Sequence, residues 1–519
     1  MKNLILLISL LCSLNLTAKN SYPVIPYPNK LVEMEGFFEF KTSLTVTMPV
    51  GFKTELSLMT KLFADEYLIK IIQSQNGKLV FKENKDLPEE AYILTVTSNQ
   101  ITAEASSAAG CFYAIQTFRQ LMKLTGSGSY TIANCMINDQ PAFSWRAYLL
   151  DEARYFKGKN AVKEILDEMA LLKMNIFQWH LTDDAGWRVE IKKYPLLTEI
   201  GAWRDSTQLG NWQSKKYDSN PHGGFYSQSD IRELVAYATE RHITIVPEIE
   251  MPGHMSAAIA AYPWLGASGK SITVPVNFGV KYDVLNVAEE KVYGFIEDVL
   301  KEIMDLFPGK LIHIGGDEVR HDQWKTNAAI NAIMEKESFE NYSDMHVYFV
   351  NRISKYIEKN GRRMMGWNDI LGKNLHEWSN EANTTQSLAK NTIIHFWKGD
   401  STLLNDAIEQ GYEIVNSYHE FTYLDYDYKS IPLEKSYSFA PVPADLSNGK
   451  TANILGLGCQ MWGEWIPTVS GMYRKTFPRI AAYAEVGWTD VVNKDYGRFL
   501  SSLENLKRHW DRKGILYGE

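Results

Sequence analysis

From Trp145 onward, short apolar runs alternate with longer amphipathic stretches, and this alternation restricts the fold more than any other feature. The runs are Ala147–Leu150, Asn175–His180, Ile243–Val246, Leu311–Ile314, Arg363–Gly366, Ile393–Phe396, Glu413–Val415 and Ile454–Cys459. Each is short and mainly apolar, as strands covered on both faces are. Between them, Ala161–Leu172, Asp230–Arg241, Lys291–Leu306, Met345–Lys359 and Ser401–Gln410 repeat apolar residues at helical spacing. Parallel strands need a crossover, and a helix supplies it. Eight such units predict an α/β fold, a (β/α)8 TIM barrel, with its active site at the carboxyl ends of the strands. Residues just after each run then share one face, whatever their separation in sequence.

All 14 tryptophans and 11 histidines fall at or after Trp145. That break separates a small leading domain, residues 21–140, from the barrel domain, residues 141–519. In the leading domain, Leu44–Thr47, Tyr92–Val96 and Ile101–Glu104 alternate as strands, and Ala108–Leu124 carries Phe112, Ile115, Phe118, Leu121 and Met122 along one helical face. These predict an α+β layer without chemistry of its own.

Residues 1–18 have the three parts of a signal peptide: a charged start at Lys2, an apolar centre from Leu4 to Leu14, and a small residue, Ala18, at the cut. Leu11 is bulky where a lipid-anchor signal at Cys12 wants a small residue, which argues against lipidation. No other stretch approaches a membrane span. The expected location is periplasmic or extracellular. Cys111, Cys135 and Cys459 remain, an odd, widely spaced set that reads as buried thiols and suits a bacterial exported protein. A net charge of -8 without any basic run excludes nucleic acid and anionic membrane as partners.

The run at Leu311–Ile314 leads directly into Gly315-Gly316-Asp317-Glu318. Two adjacent carboxylates leaving a buried strand are costly unless paired or hydrogen-bonded, so the pair marks a candidate catalytic mouth. The plain alternative is a strand that ends in a solvated acidic turn. Other strand ends bring Asp151 and Arg154, His180 with Asp183 and Asp184, Glu248, Glu250 and His254, Trp367 with Asp369, Trp397, Tyr423 with Asp425, and Trp462 with Glu464. Glu248, Glu250 and His254 are types that bind divalent cations. No His-x-His, His-Glu-x-x-His or clustered-cysteine pattern accompanies them, so neither a metal nor another cofactor is expected.

The ordered set Trp145-Arg146, His180-Leu181-Thr182-Asp183-Asp184, Pro247-Glu248-Ile249-Glu250-Met251-Pro252-Gly253-His254, His313-Ile314-Gly315-Gly316-Asp317-Glu318, Tyr423-Leu424-Asp425 and Trp462-Gly463-Glu464 resembles the β-N-acetylhexosaminidases of glycoside hydrolase family 20. The likeness covers nearly all of the chain after the leader. It implies a glycan substrate with a terminal β-linked N-acetylhexosamine, cleaved with retention. In that family the substrate's acetamido oxygen is the nucleophile, an exception to the two-carboxylate rule. The resemblance implies that Glu318 is general acid and then base, and that Asp317 orients the acetamido group as an anion. It assigns Trp367, Trp397 and Trp462 to a box around the acetamido methyl and Tyr423 to its oxygen. Arg146, Asp425 and Glu464 would bind the remaining hydroxyls, and Asp183, His180, Glu250 and His254 would support the pocket.

The chain departs from the family pattern at Glu250, where Asp is usual, and at Asn368-Asp369, where an acidic pair is usual. Two other functions fit the same fold: a non-catalytic binder of amino sugars, and a conventional retaining glycosidase with Glu248 or Glu250 as nucleophile.

Overall fold

The computed structural model describes residues 22–446 and 450–519. The leader assigned to residues 1–18, Cys12 included, lies outside them. Eight parallel strands close into a barrel in chain order: β1 (Trp145–Asp151), β2 (Ile176–His180), β3 (Thr244–Glu248), β4 (Leu311–His313), β5 (Arg363–Trp367), β6 (Ile393–Phe396), β7 (Glu413–Asn416) and β8 (Ile454–Met461), with β8 pairing back to β1. The expected runs all became strands. β4 is shorter than its apolar run because Gly315 and Gly316, at φ +64° and +84°, turn the chain away.

Side chains alternate along each strand, so the interior is stacked in layers. Near the amino ends, Trp145, Ala147, Ile176, Val246, Met365, Ile393 and Val415 form a small apolar cluster. Nearer the carboxyl ends the same strands contribute Gln178, His180, Glu248, His313, Trp367 and His395, all buried. The apolar layer closes the barrel, and the polar layer carries whatever sits above it.

Helices Lys159–Leu171, Gln228–Thr239, Glu290–Leu306, Tyr342–Lys359 and Ser401–Glu409 lie between successive strands. Several have capped starts: Ser227 and Asp230 form a capping box, and Asn341 and Asp400 each accept a backbone N–H of the first turn. Each such cap contributes about 1 kcal/mol. No described helix is long and apolar enough to cross a membrane.

The leading domain is a sheet ordered Lys30–Phe40, Tyr130–Asp139, Tyr92–Val96, Ile101–Ala105, Leu79–Glu83, Ser43–Thr47 and Lys70–Gln73. Its helix Ala108–Leu121 is buried on nearly every side, not on one face as expected. The reason is its position against the barrel: Gln120 donates to the Leu171 carbonyl, and Tyr113 packs edge-on to Trp488 at 5.0 Å. Cys111, Cys135 and Cys459 are free and buried.

This interface overturns the expectation for Arg146. It stands at the amino end of β1, where its guanidinium donates to the carbonyls of Lys173 (2.9 Å) and Phe143 (2.7 Å) and pairs with Glu90 at 2.6 Å. It is 1% exposed and joins the two domains, far from the strands' carboxyl ends.

Candidate active site

The arginine at the mouth is Arg154, three residues beyond the end of β1. It meets Asp183 at 2.8 Å, Asp151 at 3.2 Å and Glu464 at 3.8 Å, and its guanidinium lies 5.2 Å from the Trp462 ring. In the sequence Arg154 stands among the strand-end residues without an assigned role. The signal was present: Arg146 opens its strand and Arg154 follows it, and only the second end faces the mouth.

Asp317 and Glu318 leave β4 through the glycine turn. Glu318 is itself left-handed at φ +51°, a conformation costly for a side-chain-bearing residue and held by its surroundings. Its N–H donates to Asp369 at 3.2 Å, and its Oε2 lies 3.5 Å from His254 Nε2. The other His254 nitrogen meets Asp184 at 3.0 Å, and Asp184 also accepts from the Ser256 backbone. Burial disfavours charge on His254, but Asp183, Asp184 and Glu318 raise its pKa well above the usual value. An imidazolium therefore faces both carboxylates, with Asp317 Oδ2 at 3.8 Å. Asp317 Oδ1 is buried and, among the described residues, accepts no hydrogen bond. Burial, opposed by His254 and assisted by Asp369 and Glu318, pushes the Asp317 carboxyl up to about 7.

The indoles line one pocket. Trp367 and Trp462 are 5.8 Å apart, Tyr423 is 5.8 Å from Trp462, and Tyr423 stacks on Trp397 at 6.1 Å and 9°. Two of the indoles are set from behind by hydrogen bonds. Trp367 donates to Glu248 at 2.8 Å and stacks on His395 at 4.0 Å. Trp397 donates to Asp369 at 2.8 Å, and Asn368 fixes its backbone by accepting from Trp397 N at 2.9 Å and donating to the Lys398 carbonyl. The Asn368-Asp369 departure thus orders Trp397 and Glu318 together, with His376 bonded to Asp369 at 2.6 Å. Asp425 Oδ1 is buried and has no hydrogen-bond partner among the described residues, and burial with the nearby Glu464 pushes that carboxyl up to about 7.

Below this wall lies a network in which His180 and Asp183, expected to support the pocket, are joined by Glu248 and by Gln178, His313 and His395, to which the sequence gave no role. Gln178 donates to Glu248 at 2.6 Å, His180 bridges Glu248 (3.2 Å) and Asp183 (3.1 Å), and His313 contacts His395 at 3.3 Å. Burial opposes charge on His180, yet Glu248 and Asp183 raise it to about 10; burial lowers His313 to about 4. One ring is therefore cationic and the other neutral at pH 7. Among the described residues, three groupings hold ligand-type atoms close together: His180, Glu248 and Glu250; Asp183, Asp184 and His254; His254, Asp317 and Glu318. Many of these atoms are already engaged with one another as described.

Glu250 lies beneath the catalytic turn. A Cβ built on Gly315 would stand 1.7 Å from Glu250 Oε2, so the glycine exists to admit this carboxyl. Glu250 is 2% exposed, and burial together with the charges of Asp317 and Glu248 raises its pKa well above the carboxylate range. It is a neutral acid packed under Gly315, and the extra methylene changes the pocket's support, not its lining.

Residues 143–491 match the model for the glycosyl hydrolase family 20 catalytic domain, and residues 21–140 match domain 2 of that family. The chain is 32% identical to a beta-hexosaminidase of Porphyromonas gingivalis over 95% of its own length and 64% of the relative's. It therefore spans less than two thirds of that protein. It is 33% identical to a beta-hexosaminidase of Vibrio furnissii, covering 89% of this chain and 76% of the relative. A Vibrio harveyi exo beta-N-acetylglucosaminidase, solved in complex with N-acetylglucosamine, superposes with a TM-score of 0.85 at 32% identity, over 96% of this chain and 79% of that one.

Proposed function

This chain belongs to glycosyl hydrolase family 20, and on that premise we propose that it is a retaining exo-β-N-acetylhexosaminidase. It removes terminal non-reducing β-linked GlcNAc, with GalNAc as a second substrate, through an oxazolinium intermediate. The observation that carries the reading is Asp317 Oδ1: buried, unpartnered, and beside an indole-walled pocket. An amide N–H satisfies it; a sugar 2-hydroxyl also donates, but brings no acetamido oxygen to act as nucleophile.

In the first step, Asp317 accepts the acetamido N–H while the acetamido oxygen attacks the anomeric carbon. Glu318 gives its proton to the glycosidic oxygen, and the leaving sugar departs as an alcohol. The positive charge on the oxazolinium ring is stabilised by Asp317. In the second step Glu318 takes a proton from water, which opens the ring from the same face, so configuration is retained. Trp367, Trp397 and Trp462 hold the acetamido methyl, and Tyr423 donates to its oxygen. Arg154, with Asp425 and Glu464, binds the other hydroxyls in the role the resemblance gave to Arg146.

The two-carboxylate alternative lacks a nucleophile with access. Glu248 is 0% exposed and lies behind Trp367, and Glu250 is 2% exposed under Gly315. The test is a paired assay: an aryl β-N-acetylglucosaminide is cleaved and the matching β-glucoside is not. Equal rates would overturn the reading, and binding of GlcNAc without turnover would leave the amino-sugar binder.

We further propose export to the periplasm or the extracellular space, supported by the apolar leader ending at Ala18. Sequencing the amino terminus of the mature protein tests it; a chain that retains Met1 would contradict it.

A further inference from the structure

Arg320 follows Glu318 by two residues, and its guanidinium lies 4.4 Å from the ring centre of Tyr282 and 4.4 Å from that of Trp378. Trp378 stacks on His376 at 4.9 Å and 13°, and His376 in turn lies 6.0 Å from Trp397. Contacts therefore run unbroken from Trp397 on the pocket wall through His376 and Trp378 to Arg320 and Tyr282 at the surface. Three separate loops supply them, and the outer rings are open: Tyr282 is 54% and Trp378 38% exposed. Burial of apolar surface does not explain such a ledge.

A guanidinium held between two rings is pre-oriented, with its N–H groups directed along its own plane. Arg320 Nε meets Asp322 at 3.0 Å. Among the described residues, its two terminal nitrogens have no hydrogen-bond partner. A fork of that kind matches the oxygens of an oxyanion, where a neutral hydroxyl engages only one arm. The bond being cleaved sits at Glu318, so the departing sugar occupies the space on that residue's outer side, where the ledge begins.

We propose that the Tyr282–Arg320–Trp378 ledge receives the leaving sugar and selects one that bears an oxyanion, carboxylate or sulfate, gripped by the terminal nitrogens of Arg320. The proposal rests on the hydrolase reading above and adds to it the chemical class of the second residue.

The test compares three disaccharides that share a terminal β-GlcNAc: one with a neutral leaving sugar, one with the corresponding uronic acid, and one with the sulfated sugar. Wild-type kcat/KM is expected to be about tenfold or more higher on an anionic leaving sugar than on the neutral one. The advantage shrinks as salt is added. Rates are normalised to each variant's rate on an aryl β-N-acetylglucosaminide. On that scale Arg320→Gln brings the anionic-to-neutral ratio to about one, and Arg320→Lys keeps part of it. A preference for only one of the two anions supports the proposal and identifies the group. Absence of preference in the wild type, or its survival in Arg320→Gln, would overturn the proposal while leaving the hydrolase reading intact. No hydrolysis of any β-N-acetylglucosaminide would remove both.

Discussion

The indole N–H of Trp367 donates a 2.8 Å hydrogen bond to Glu248, which puts that carboxylate behind the pocket wall instead of inside it. Glu248 also accepts from Gln178 and lies against the His180 imidazolium. Its work is to hold a wall and balance a buried charge.

Glu248→Ala should therefore act on stability. It leaves the His180 cation and two donors without their acceptor, a loss on the order of 3–5 kcal/mol, read by denaturant unfolding. Azide, which rescues a missing nucleophile, should restore nothing. A stable variant rescued by azide would return Glu248 to the reaction.

The pH profile should carry the signature of Asp317. The carboxyl must be ionised to accept the amide, and burial raises its pKa to about 7 in the free protein. The acid limb of kcat/KM should accordingly fall away below about pH 7 and be displaced in Asp317→Asn. Its stability effect has the opposite sense. An acid whose pKa is raised on folding is favoured protonated, so stability is lost as pH rises from the unfolded value of 3.8 toward about 7. Asp317→Asn removes that ionisation and should be at least as thermostable as wild type at pH 8, with activity reduced by about 100-fold or more. A lower Tm at pH 8 would show that the carboxylate is structural.

Arg154 and Arg146 should separate activity from folding. Arg154→Ala removes the fork that faces the pocket and should raise KM and lower kcat together while the protein stays folded. Arg146→Ala strips bonds to Lys173, Phe143 and Glu90 at the domain interface and should lower Tm, with kinetics of the folded fraction preserved. The reverse pattern would reinstate Arg146 as a pocket residue.

Gly315 and Glu250 should be coupled. Gly315→Ala drives a methyl into the Glu250 carboxyl and strains a φ of +64°, so activity should collapse. Adding Glu250→Asp withdraws the carboxyl by one methylene and should restore part of the loss. Independent, additive effects in a double-mutant cycle would deny the contact.

The barrel was legible in the sequence because strand and helix periods differ, and eight alternations admit few topologies. The Asp317-Glu318 pair was legible too, since charge at the end of an apolar strand is conspicuous. What the sequence alone determined was thus the kind of residue available at each strand end. The tertiary structure decided which end of a strand a residue occupies and what stands behind it. Arg146 and Arg154 lie within one short segment, and strand direction alone sends the first to the domain interface and the second to the pocket. Glu248 and Glu250, two residues apart, read as a pair of candidate nucleophiles. Barrel closure turned one to hold Trp367 and slid the other under Gly315, because partners more than sixty residues away in the chain meet only when the sheet closes.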